Sequence, residues 1–129
     1  LNDRIIFDQF HLIRQVQIAT DNAKNSIKRL GGIEVPVFED TEKTFSELQE
    51  RIAKTIALLR STPEEAIAGK EDVRVSLPYW DNKSLSGFEY TTQYLIPNFF
   101  FHLTTAYAIC RKNGVQIGKS DFTGQLPLV

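Results

Sequence analysis

A histidine preceded by three phenylalanines, with a cysteine farther along the same stretch, is the first place in this chain to look for chemistry. The stretch Ile96–Gly114 holds Phe99, Phe100, Phe101, His102 and Cys110, with Pro97 inside what otherwise reads as a helix. Imidazole titrates near neutral pH, so His102 can serve as acid, base or metal ligand. A second set of polar residues lies on an earlier helical pattern. Gln17, Asp21 and Lys24 fall at i, i+4 and i+7 and so share one helix face. If that face looks toward His102, then Gln17, Asp21 and His102 line a polar pocket for a small molecule. The competing reading is a buried cluster whose members satisfy one another. The residues alone leave both open.

The other reactive side chains carry less. His11 stands alone, without the further donors that a metal needs. Cys110 lies among apolar residues and reads as a small hydrophobe rather than a nucleophile. The phenylalanines read as core and packing interface. The chain has no phosphate-cradling glycine loop, no Ser-His-Asp pattern and no cysteine-based zinc motif.

Composition bounds the rest. A chain of 129 residues, 42% hydrophobic and 24% charged, makes one soluble globular domain. A net charge of -1 offers no electrostatic footprint for nucleic acid. No apolar run approaches the roughly 20 residues that span a bilayer, and no export leader is visible. A single cysteine excludes an internal disulfide and fits a reducing, cytoplasmic compartment.

The elements that must position these residues are helical. Leu12, Val16, Ala19, Ala23, Ile27 and Leu30 form one apolar stripe, predicting a helix from Asp8, as N-cap, to Leu30, stopped by Gly31-Gly32. Lys24, Lys28 and Arg29 read as its solvated, dipole-favoured end. Ile33–Asp40, interrupted by Pro36, reads as an extended connector. Thr44 and Glu47 form a capping box opening a helix to Ser61 that buries Phe45, Leu48, Ile52, Ile56 and Leu59. On its wet side Glu47 pairs with Arg51 and Glu50 with Lys54. Val73–Leu77 and Ser84–Ser86 form a small hairpin around Asp81-Asn82, with Trp80 as a lid over the bundle end. A second capping box, Ser86 to Glu89, opens the last helix. Pro97 forces a restart near Ile96, leaving Asn98–Lys112 as its distal half. Thr104 and Thr105 are placed to bond carbonyls that Pro97 frees, and the tail after Gly114 is irregular. The last helix is apolar over more than one stripe and asks for a fourth helical neighbour. The chain has no methionine and opens on Leu1 without a cap, so that helix is expected upstream.

Two long runs carry a family resemblance. They are Asp8–Lys24 (DQFHLIRQVQIATDNAK) and Leu95–Ile109 (LIPNFFFHLTTAYAI), the latter continuing through Asn113-Gly114-Val115 to Ile117–Phe122, with Val35–Asp40 (VPVFED) between them. Together they resemble a bacterial and fungal family of unknown function within the DinB/YfiT-like superfamily of metalloenzymes. The resemblance implies an all-α, up-down-down-up four-helix bundle with a small β-hairpin, its first helix missing from this chain. In metal-binding members, three histidines hold a divalent ion, one from the second helix and an H-x-x-x-H pair from the last. By position the pair becomes His102 and Ala106, and the other ligand falls on Gln17. Alanine cannot ligate, and an amide is a poor ligand for zinc or nickel. The resemblance thus implies a degenerate metal site in a small-molecule-binding or structural module. The alternative is a metal-dependent, transferase-like enzyme with a pocket around His102, using zinc or nickel. A groove left open by a missing helix predicts a homodimer.

Overall fold

The computed structural model describes residues 1–129. Its architecture follows from where the backbone stops being able to continue a helix. Helix α1 spans Leu12–Gly31 and ends at Gly32, whose φ of 68° lies in the left-handed region that glycine adopts freely. Its N-cap is His11 rather than Asp8: the His11 ring accepts the Arg14 amide at 3.4 Å. A cap must sit one residue before the first helical turn, and residues 1–10 are held elsewhere. Asp3 accepts from Lys112 at 3.1 Å and from Asn113 at 2.7 Å, which ties the N-terminal segment to the far end of the chain.

Helix α2, Phe45–Ser61, opens on the Thr44 capping box as its sequence requires. Of the five apolar residues expected inside, only Leu48 is buried; Phe45 is 62% exposed, and Ile52, Ile56 and Leu59 are also exposed. Arg51 and Thr55 are buried in their place. Helical spacing sets which residues share a face, but not whether another element covers it.

A two-stranded antiparallel ribbon follows, β1 (Arg74–Val75) against β2 (Leu85–Ser86), with Val75 opposite Leu85. Its loop turns through Asp81 and Asn82, both at positive φ. The ribbon leans on a core of Leu30, Val75 and Tyr90. Trp80 closes that core as a lid, edge-on to Tyr94 with ring centroids 5.2 Å apart.

The last long helical run has three parts. Helix α3 (Gly87–Glu89) starts on the Ser86 capping box, a π-helical turn covers Tyr90–Leu95, and helix α4 runs Ile96–Lys112. Proline is tolerated in the first turn of a helix because the amide it lacks would be unpaired there. The wider π turn absorbs the mismatch, so the restart near Ile96 takes this form. Thr104 and Thr105 do not serve Pro97: Thr105 donates to the Phe101 carbonyl one turn back at 2.7 Å. The tail is also more ordered than its sequence suggested. Lys119–Thr123 form a short helix, α5, whose Phe122 packs edge-on to Tyr107.

Gly87 sits where the chain passes closest to itself. A Cβ there would lie 2.0 Å from the Lys70 carbonyl oxygen, a backbone atom that cannot swing aside. Gly87→Ala is therefore expected to cost about 1–3 kcal/mol. The urea midpoint should fall accordingly, with helix content unchanged before the transition.

Candidate functional site

Helix α1 packs against both α2 and α4, so its residues divide among three environments. Residues two apart point about 200° away from each other around a helix. Gln15 therefore faces α4, while Gln17 faces the connector between α1 and α2. This separation splits the polar set Gln17, Asp21 and His102.

His102, 7% exposed, has its Nδ1 2.7 Å from Gln15 Oε1. Gln15 in turn donates from Nε2 to the Phe10 carbonyl at 2.9 Å, which fixes the direction of its amide. Oε1 can only accept, so His102 Nδ1 carries the proton and Nε2 the lone pair. Burial pushes the His102 pKa down and the charge on Arg14 adds to this, so the ring is neutral at pH 7. Ala106, one turn on, has no donor atom. No three His, Cys, Asp or Glu side chains lie close enough to share an ion. One imidazole, an alanine and an amide engaged elsewhere do not fit a zinc or nickel site. His11 serves as a helix cap, and burial raises the Cys110 pKa, away from thiolate reactivity.

If the Gln15–His102 bond holds this site together, Gln15→Leu strands a buried imidazole N–H and the Phe10 carbonyl. The expected loss is about 1–3 kcal/mol in urea unfolding. Adding His102→Leu should restore part of it, because a pair removed together leaves fewer orphaned groups.

Gln17 and Asp21 belong to a charged network centred on Arg51, which is only 2% exposed. Its guanidinium meets Asp21 at 2.9 Å, Asp40 at 3.1 Å and Glu42 at 2.9 Å, and Nε donates to Thr20 at 2.8 Å. Gln17 donates to Glu42 at 2.8 Å and accepts from Arg14, which also bonds Asp40. Lys24 is 3% exposed, pairs with Asp21 at 3.2 Å and donates to the Pro36 carbonyl at 2.9 Å. Neither the solvated Lys24 nor the Glu47–Arg51 surface pair forms; both cations are drawn inward by the connector's acceptors. Burial pushes the Glu42 pKa up, but hydrogen bonds from Arg51 and Gln17 outweigh it and hold the carboxyl below its ordinary range.

The openings beside α1 on its α4 side are apolar. Between α2 and α4 runs a groove of about 380 Å³ walled by Phe45, Leu48, Ile52, Tyr107 and Cys110, with Phe122 of α5 at one end. It shares Val16, Ile52, Leu103 and Ala106 with a second cavity of about 240 Å³ that continues toward Leu59 and Phe99. Ala106 thus lies in the floor of the groove.

Sequence reasoning missed both Gln15 and the Arg51 network. One signal was present: Gln15 and Asn22, seven residues apart, interrupt the apolar side of α1 and are both buried. No helix is long and apolar enough to cross a membrane.

Comparison with known proteins agrees with this architecture. The profile described as a domain of unknown function (DUF1993) matches residues 1–123. The crystal structure of a DinB family member from Shewanella denitrificans is 44% identical, with a TM-score of 0.94 over all of this chain and 74% of that one. No curated protein matches.

Proposed function

The chain belongs to the family of the DUF1993 domain and shares its fold with a DinB family member, and from that premise we propose a DinB-like helical-bundle protein with a degenerate metal site. It works as a small-molecule-binding or structural module rather than as a metal-dependent transferase. The observation that carries this reading is the pairing of His102 with Gln15 beside Ala106, at the place where an H-x-x-x-H pair would stand. The groove over α1 is then the surface that such a module offers. Its volume of about 380 Å³ falls within the few hundred Å³ usual for small-molecule sites.

The finer fold belongs to the same proposal. Helices α1, α2 and α4 are three members of an up-down-down-up bundle. Support comes from the packing of α1 against both α2 and α4. Two copies pair as a homodimer through the exposed apolar stripe Phe45, Ile52, Ile56 and Leu59 of α2.

Metal content decides between module and enzyme. After incubation with zinc, nickel or manganese and removal of free ion, elemental analysis should find well under one ion per chain. One ion per chain, lost in His102→Ala, would instead support the metal-dependent enzyme.

A further inference from the structure

The connector 33–43 is fastened to the helices in an unusual way. No backbone N–H or C=O in it is hydrogen-bonded to another backbone group. Side chains alone hold it. Lys24 donates to the Pro36 carbonyl, and Arg51 to the Glu39 carbonyl at 3.2 Å. Arg51 and Arg14 hold the Asp40 carboxylate; Arg51 and Gln17 hold that of Glu42. The Phe38 ring lies between two cations, with Lys24 Nζ 4.3 Å and the Arg51 guanidinium carbon 5.5 Å from its centroid.

The two sides of this contact are chemically sorted. To the recess on α1 and α2 the connector brings only acceptors: two carbonyls, two carboxylates and a π face. In return the helices offer donors, namely Arg14, Gln17, Lys24 and Arg51, with Asp21 as the one carboxylate among them. Lifting the connector would leave three cations against one anion in a recess already shaped by packing. A segment without backbone hydrogen bonds can leave without breaking a helix.

We propose that residues 33–43 are a strap over an anion site, and that Asp40 and Glu42 occupy in the closed form the positions that a small dianion takes when the strap is open. The ligand class is a molecule with carboxylate or phosphate oxygens placed to meet Arg51 and Arg14 together, as guanidinium groups favour. Closed, the strap also excludes such a ligand. The cleft of about 320 Å³ between it and α2 carries Glu39, Glu42, Glu47 and Glu50 against Arg51 and Lys54, so carboxylates outnumber cations at its mouth. The site is separate from both the groove and His102.

Acylation of Lys24 by acetic anhydride, followed by mass spectrometry on the full chain, reports strap opening. Exposed Lys119 serves as internal reference. Lys24 should label well below the urea unfolding transition, with little dependence on urea. In the Asp40→Asn/Glu42→Gln double variant it should label about tenfold faster, because the open fraction rises. Phosphate and succinate, titrated separately by calorimetry, distinguish the two anion chemistries. One of them should bind the double variant about tenfold more tightly than the wild type, whose own carboxylates compete. If the double variant does not fold, Glu42→Gln, which keeps an acceptor for Arg51, carries the same comparison. Lys24 labelling only in step with global unfolding overturns the strap. A folded variant that binds neither anion overturns the site.

Discussion

Arg51→Met should cost about 3–5 kcal/mol, the penalty expected when one member of a buried ion cluster is removed and its partners stay. Methionine keeps much of the volume, so the loss reports charge rather than a cavity. Asp21, Asp40 and Glu42 would then face one another with only Lys24 and Arg14 nearby. The pH dependence carries the sign of this effect. Glu42 is held below its ordinary pKa in the folded wild type. Its contribution is therefore present above the unfolded value of about 4.3 and lost as pH falls through the folded one. Without Arg51, burial acts on Glu42 with much less opposition, and protonation relieves the strain. The gap in urea stability between wild type and variant should narrow from pH 7 toward pH 3. A gap unchanged over that range would mean that Arg51 acts through packing alone.

Tyr90→Ala should be comparably severe, at about 3–5 kcal/mol. Tyr90 is fully buried and lies in the π turn, in one core with Leu30 of α1 and Val75 of the ribbon. Its hydroxyl accepts from Arg29 at 3.1 Å, and its ring stacks on Tyr94 at 5.8 Å. Tyr90→Phe separates the two contributions. It keeps the ring and should lose only about 1 kcal/mol, the usual worth of one hydrogen bond. Equal losses in both variants, measured by urea unfolding, would contradict the ring's place at the centre of this core.

Local signals were legible in the sequence because their causes are local. Thr44 with Glu47 and Ser86 with Glu89 are three residues apart, and each pair satisfies amides within its own turn. Pro97 dictates a restart wherever it sits, and Gly31-Gly32 stop α1 without help from other elements. Family membership was legible too, through long runs of sequence in Asp8–Lys24 and Leu95–Ile109. The site was not, because its pairs are remote. Gln15 and His102 are 87 positions apart, and Asp21 reaches Arg51 across two helices. The i, i+4, i+7 face of Gln17, Asp21 and Lys24 was real, but spacing along one helix does not say which neighbour it meets. The same gap put Ile52, Ile56 and Leu59 inside when they are exposed.

The most direct measurement is nitrogen-15 NMR of the His102 imidazole, titrated with acid and then with zinc. A buried neutral ring with Nδ1–H donated to Gln15 should titrate below the usual histidine value of about 6.5. Because the folded pKa is depressed, its contribution to stability is present above about pH 6.5 and is lost as pH falls through the folded value. The protonated nitrogen at neutral pH should be Nδ1, and zinc at neutral pH should leave both ring signals in place. A pKa at or above the ordinary value would contradict the buried neutral ring, and Nε2 shifting at one equivalent of zinc would contradict the degenerate site and return His102 to the role of metal ligand.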